Sequence, residues 1–86
     1  LLARYGGEEF CVLLPETELE GAALIAETLR QRLETHPFVF DGETIQVTTS
    51  IGCAQVQENE TPIQLIQSAD KRLYEAKNST RNCVCS

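Results

Sequence analysis

Apolar positions along the chain switch repeatedly between a period of two and a period near 3.6, and each switch marks the border of an element. Leu1-Leu2-Ala3 and Phe10-Cys11-Val12-Leu13-Leu14 are strand-like arms on either side of Arg4-Tyr5-Gly6-Gly7-Glu8-Glu9. Gly6-Gly7 predicts a two-residue hairpin loop, because glycine reaches the positive φ angles that such turns need. Pro15 closes the second arm. Thr17 then reads as a helix N-cap, with Glu20 three residues on completing a capping box. Ala22, Ile25, Ala26, Leu29 and Leu33 recur at helical steps and predict a helix over Leu19–Thr35 with one apolar face. Arg30, Gln31, Arg32 and Glu34 populate the rest of it, and no chemistry is assigned there. His36-Pro37 ends the helix, since the residue before a proline is pushed out of the helical region. His36 itself reads as solvated punctuation rather than as a base.

In the second half, Phe38-Val39-Phe40 and Glu43-Thr44-Ile45 flank Asp41-Gly42, a favoured type I′ pair, and predict another hairpin. Its second arm runs long. Ile45, Val47, Thr49, Ile51 and Cys53 alternate with Gln46, Thr48, Ser50 and Gly52, the period of a half-buried strand. Gly52 within it signals a bulge or the close approach of something else. Thr61 caps a second helix, with Pro62 at its first position, Gln64 closing the capping box, and Ile66, Ala69, Leu73 and Ala76 as its buried face. Asn82-Cys83-Val84-Cys85 predicts a short final strand. The order β-β-α-β-β-α-β reads as an α+β sandwich with helices on a mostly antiparallel sheet.

Composition narrows the field of functions. With 86 residues there is room for one small domain at most, and the formal charge of −6 argues against sequence-independent nucleic-acid binding. It leaves room for a nucleotide held through a metal. No apolar run approaches a membrane span, and no signal-peptide pattern opens the chain. The chain begins inside a strand without an initiator methionine, so we expect a piece of a longer protein. Cys11 and Cys53 lie in apolar strand runs, and Cys83 and Cys85 share one face of the last strand. Reduced, structural cysteines in a cytoplasmic protein are the expectation, because zinc spacing and a second ligand pair are missing.

The candidate chemistry lies in two places. Glu8 and Glu9 follow two glycines, so a phosphate or metal can approach that backbone closely, and carboxylate oxygens suit Mg²⁺. Lys71, Arg72, Lys77 and Arg81 cluster toward the end of the second helix, where they complement its dipole. Lys77 and Arg81, four apart, would share a face as a phosphate clamp if the helix reaches that far. A nucleoside triphosphate with Mg²⁺ would satisfy both halves, and a merely solvated hairpin remains the competing reading.

Arg4-Tyr5-Gly6-Gly7-Glu8-Glu9-Phe10 resembles the signature of the GGDEF family, the diguanylate cyclases, in its GGEEF form. The resemblance continues through Leu13-Leu14-Pro15-Glu16-Thr17 and Thr49-Ser50-Ile51-Gly52. It then runs from Ala69-Asp70 through Leu73-Tyr74-Glu75-Ala76-Lys77 to Arg81-Asn82, so it covers essentially the whole chain. It implies a ferredoxin-like, palm-type sandwich that condenses two GTP molecules into cyclic di-GMP with release of pyrophosphate, assisted by Mg²⁺ or Mn²⁺, in a homodimer. Carried over, Gly6 and Gly7 line the phosphates, and Glu8 is the metal ligand tied to activating the 3′-hydroxyl. Glu9 is a supporting acidic group, and Lys77 and Arg81 hold the terminal phosphates. A sensor or receiver domain is implied elsewhere in the protein, with no nucleic-acid or membrane contact by this segment.

The family's metal-binding aspartate and guanine-reading residues would fall before Leu1, as would its inhibitory Arg-x-x-Asp site, whose second arginine aligns with Thr28. Residues 1–86 are therefore expected to be the C-terminal part of one GGDEF domain. The lost first strand would leave uncovered apolar surface and unpaired strand edges, and the piece alone is expected to be inactive. The alternative is a degenerate GGDEF domain that senses GTP or cyclic di-GMP without turnover.

Overall fold

The computed structural model describes residues 2–86, with Tyr5 described through its backbone alone. The order is β1 (Leu2–Gly6), β2 (Glu9–Val12), α1 (Leu19–Thr35), β3 (Phe38–Phe40), β4 (Glu43–Ile45), β5 (Ile51–Gly52), α2 (Pro62–Asn78) and β6 (Val84–Cys85). The class is the expected α+β, with two antiparallel hairpins, β1-β2 and β3-β4, and one parallel pair, β5-β6.

The long strand departs from its sequence pattern. The ladder of β4 ends at Ile45 and resumes only at Ile51, so its two ends belong to different sheets. Alternation prepares a segment for pairing, but a ladder also needs a partner, and 46–50 pair with no strand among the described residues. Its far end is fixed by Ile51 N–H donating to Cys83 O at 3.0 Å and Cys53 N–H to Cys85 O at 2.8 Å.

Both helices begin and end close to where their sequence signals fall, for different reasons. Thr61 forms the full capping box of α2: Gln64 N–H donates to its hydroxyl at 3.2 Å, and Thr61 N–H donates to Gln64 Oε1 at 2.9 Å. The Thr17 cap does not form. Glu18 occupies the cap position without a side-chain bond, and Thr17 Oγ1 instead donates to Pro15 O at 3.0 Å. The exposed Leu19 N–H is satisfied from outside the helix, by Gln55 Oε1 at 2.9 Å, 36 residues away. At its other end α1 stops at His36, extended before Pro37, and the His36 ring lies edge-on to that of Phe38 at 4.5 Å.

α2 packs on β5 and β6, and α1 on β6. Gly52 is where β5 meets α2: a Cβ there would stand 2.2 Å from Leu73 N and 2.3 Å from Ala69 O. The close approach signalled by this glycine is thus the helix backbone. Ile66, Ala69 and Leu73 are half-buried on that face and Ala76 is fully buried.

On α1 the apolar face is only partly used. Ala26 is buried, while Ile25 and Leu29 remain about half exposed and Leu24 more so. Phe10, Phe40, Val39 and Ile63 are also largely exposed. Among the described residues only Ala26, Cys53 and Ala76 form a buried core.

Candidate active site

The hairpin turn is displaced by one residue from its sequence reading. Gly6 closes β1, pairing with Glu9, and the two-residue loop is Gly7-Glu8. The register shifts between Arg4 and Gly6, a bulge that uses the first glycine's φ of 150° and leaves the second, at 50°, to turn the chain. Glu8 therefore sits in the turn itself, exposed, while Glu9 opens β2 and is half-buried. A Cβ built on Gly6 or Gly7 would meet nothing within 4 Å, so the backbone here is open to a ligand. Arg4 braces the turn, with Nε and Nη2 donating to Gly7 O at 3.0 and 2.7 Å. The sequence reading gave Arg4 no role. An arginine three residues before a turn carbonyl is the signal that was available.

The structure joins the hairpin to α2 through a direct side-chain contact. Lys77 Nζ lies 3.1 Å from Glu9 Oε2, a pair 68 residues apart in the chain. Glu9, Asp70, Leu73, Tyr74 and Lys77 line a cleft of about 210 Å³ between hairpin and helix. Asp70, one turn before Leu73 and two before Lys77 on the same face, adds a carboxylate that was not assigned to the site from sequence.

Arg81 is placed differently from expectation. α2 ends at Asn78, so Lys77 and Arg81 do not share a helix face. Arg81 follows in a turn with φ of 53°, exposed, its N–H donating to Ala76 O at 3.1 Å. Helix continuation failed because Ser79 leaves helical geometry and the Ala76 carbonyl is capped by two later N–H groups. The other cations are otherwise engaged or exposed: Arg72 pairs with Glu75 at 3.1 Å, and Lys71 lies on the surface. Thr28 is an exposed helix residue whose hydroxyl donates to Leu24 O at 3.0 Å.

Arg30, off the apolar face of α1 and given no chemistry from sequence, is mostly covered: its side chain is only 14% exposed. Nε and Nη2 form a fork on the two Glu27 oxygens at 2.7 and 2.6 Å, and Nη1 donates to Asn82 Oδ1 at 3.1 Å. Glu34 lies 3.5 Å from the same guanidinium and accepts from Asn82 Nδ2. The Arg30 hydrogen bonds, seconded by Gln31, hold the Glu27 carboxyl down at about 2, against an ordinary 4.5. The same contacts push the Arg30 guanidinium up.

A divalent cation would find suitable donors in kind. Mg²⁺ is commonly held by one or two carboxylates together with substrate phosphates and water. Glu8 is exposed beside an open glycine backbone, which fits that pattern. No cluster of three or more metal-ligating side chains occurs among the described residues, so a nucleotide would have to complete the shell. No described helix is long and apolar enough to cross a membrane.

Comparison with known proteins gives a concordant result. Residues 1–83 match the family described as "Diguanylate cyclase, GGDEF domain". Diguanylate cyclase A of Treponema denticola is 42% identical over 83 residues, covering 95% of this chain and 22% of that protein. Response regulator PleD of Caulobacter vibrioides is 47% identical over 87 residues, covering 98% of this chain and 19% of that protein. The chain thus spans about a fifth of the length of these relatives. The solved active GGEEF domain of a diguanylate cyclase from Vibrio cholerae superposes with a TM-score of 0.82 at 34% identity, covering 98% of this chain and 53% of that one. With the motif at the hairpin, the palm-like fold and a match over nearly its full length, the chain belongs to the GGDEF family of diguanylate cyclase domains.

Proposed function

We propose that the protein carrying this chain condenses two GTP molecules into cyclic di-GMP, and that this chain supplies the phosphate-holding half of each site in a homodimer. The observation that carries the reading is the junction of Glu9 with Lys77, which sets an open glycine turn beside a cationic helix end. The names of the relatives support the reaction class.

In the reaction the 3′-hydroxyl oxygen of one GTP bonds to the α-phosphorus of the other. The bond from that phosphorus to the bridging oxygen breaks, and pyrophosphate departs. Two such steps close the ring. Gly6 and Gly7 let the phosphates approach the backbone, and Lys77 and Arg81 offset charge on the terminal phosphates that leave. Glu8, at the turn, would hold Mg²⁺ or Mn²⁺, with Glu9 supporting the site from the first position of β2. When bound, such an ion offsets phosphate charge and favours deprotonation of the attacking hydroxyl. The response-regulator name of one relative, a fifth of whose length this chain matches, supports control by a sensor or receiver domain elsewhere in the protein.

Glu8→Ala in the full-length protein tests the reading. Glu8 is exposed in a turn, so its loss should leave the unfolding free energy within about 0.5 kcal/mol of wild type while removing cyclic di-GMP formation from GTP and Mg²⁺. Turnover that survives the substitution refutes the role given to Glu8.

A further inference from the structure

We infer that Arg30 is a positioning residue for Arg81, acting through Asn82; this rests on the reading of Arg81 as a phosphate ligand. Arg81 and Asn82 both have positive φ, 53° and 46°, a region that residues with side chains occupy rarely and only when their surroundings hold them there. The hold is visible on every side. Behind the turn, Ser79 and Arg81 N–H donate to Ala76 O at 3.3 and 3.1 Å. Ahead of it, Asn82 N–H donates to Ser50 Oγ at 3.1 Å.

The remaining contacts come from α1. Arg30 Nη1 donates to Asn82 Oδ1 at 3.1 Å and lies 3.5 Å from Asn82 O, and Glu34 takes the Asn82 amide. Glu27 occupies the other edge of the guanidinium with its two oxygens. The donors of Arg30 are thus engaged by Glu27 and Asn82, and its side chain is mostly covered. What it does is fix the residue that follows Arg81. The order of support runs from Glu27 to Arg30, then to Asn82, and so to the peptide from which the exposed Arg81 side chain extends. Lysine cannot replace Arg30 here, because a single ammonium cannot form the fork on Glu27 and reach Asn82 at once.

The experiment is a double-mutant cycle in the full-length protein, with GTP turnover and inhibition by pyrophosphate as readouts. Arg30→Lys keeps the charge and loses the fork. It should raise KM for GTP and weaken pyrophosphate inhibition by on the order of tenfold, with kcat changed less than about twofold. In an Arg81→Ala background the same substitution should change neither quantity by more than about twofold. Asn82→Ala, which leaves the Arg30–Glu27 fork in place, should reproduce the pattern. If Arg81→Ala raises KM but Arg30→Lys and Asn82→Ala do not, or act equally in both backgrounds, positioning is overturned. If Arg81→Ala leaves KM and pyrophosphate inhibition unchanged, the phosphate reading of Arg81 falls and takes this inference with it.

Discussion

Gly52→Ala isolates the contact on which the α2–β5 layer depends. The added Cβ would lie 2.2 Å from Leu73 N, 2.3 Å from Ala69 O and 2.8 Å from Leu73 Cα. The worst of these is about 1.2 Å short of the 3.4 Å at which ordinary contact begins. All three atoms belong to the backbone of a helix, so no side chain can rotate out of the way. The strand must retreat from α2, and its two seams to β6, at 3.0 and 2.8 Å, restrict how far it can go. Retreat also opens space beside Ala76 and Cys53, two of the three residues of the buried core.

Overpacking of this kind costs about 3 kcal/mol or more, a large share of the roughly 5–15 kcal/mol that holds a domain together. Gly21→Ala is the matched control: its Cβ meets only the Thr17 methyl, at 3.1 Å, within a helix. It should be neutral or stabilising by about 0.5 kcal/mol. Urea unfolding of the full-length protein measures both. A Gly52→Ala variant within about 1 kcal/mol of wild type would show that the layer is not packed as described.

Thr61→Ala removes both bonds of the α2 capping box and should cost about 1 kcal/mol in the same assay, whereas Thr17→Ala, which loses only a bond to Pro15 O, should cost less than about 0.5 kcal/mol; equal losses would contradict the assigned caps. The Glu27 carboxyl, held at about 2 in the fold against 4.5 ordinarily, contributes stability that is complete above about 4.5 and lost as pH falls toward about 2. The stability gap between wild type and Glu27→Gln should therefore narrow across that window, and a gap constant between pH 7 and pH 3 would refute the linkage.

Local signals were legible wherever a residue's partner lies nearby in sequence. Asp41-Gly42 takes positive φ at both positions, 53° and 80°, as a type I′ turn requires, and Thr61-Pro62-x-Gln64 caps α2 as read. In two of the failures a distant group decides. Leu19 is capped by Gln55 rather than by Thr17, so the helix starts without the local box. Arg30 lies among polar residues on α1, and nothing in its periodicity tells of Asn82, 52 residues on. The turn slipped from Gly6-Gly7 to Gly7-Glu8 because a bulge in β1 consumed the first glycine, and Arg4 then closed on the Gly7 carbonyl. The site followed the same rule. The motif residues were legible as a group, whereas the contact that joins them to α2 spans 68 residues and had to be seen.

That contact also bears on how the site can work. Lys77 and Glu9 neutralise one another, which at first sight conflicts with Lys77 holding a phosphate. Their side chains are 32% and 36% exposed, and ion pairs so wetted are worth about 0–1 kcal/mol. The pair is therefore too weak to be what anchors the hairpin, and too weak to withhold Lys77 from a ligand of higher charge. A triphosphate presents more negative charge than one carboxylate, and its hydrogen bonds to an ammonium are of the stronger, charge-assisted kind. Under the proposed reading the pair keeps Lys77 aimed at the hairpin until phosphate arrives. Exchange of partners then frees Glu9 beside Glu8, at the place where acidic oxygens are wanted. The weakness of the bond is what makes it compatible with the function.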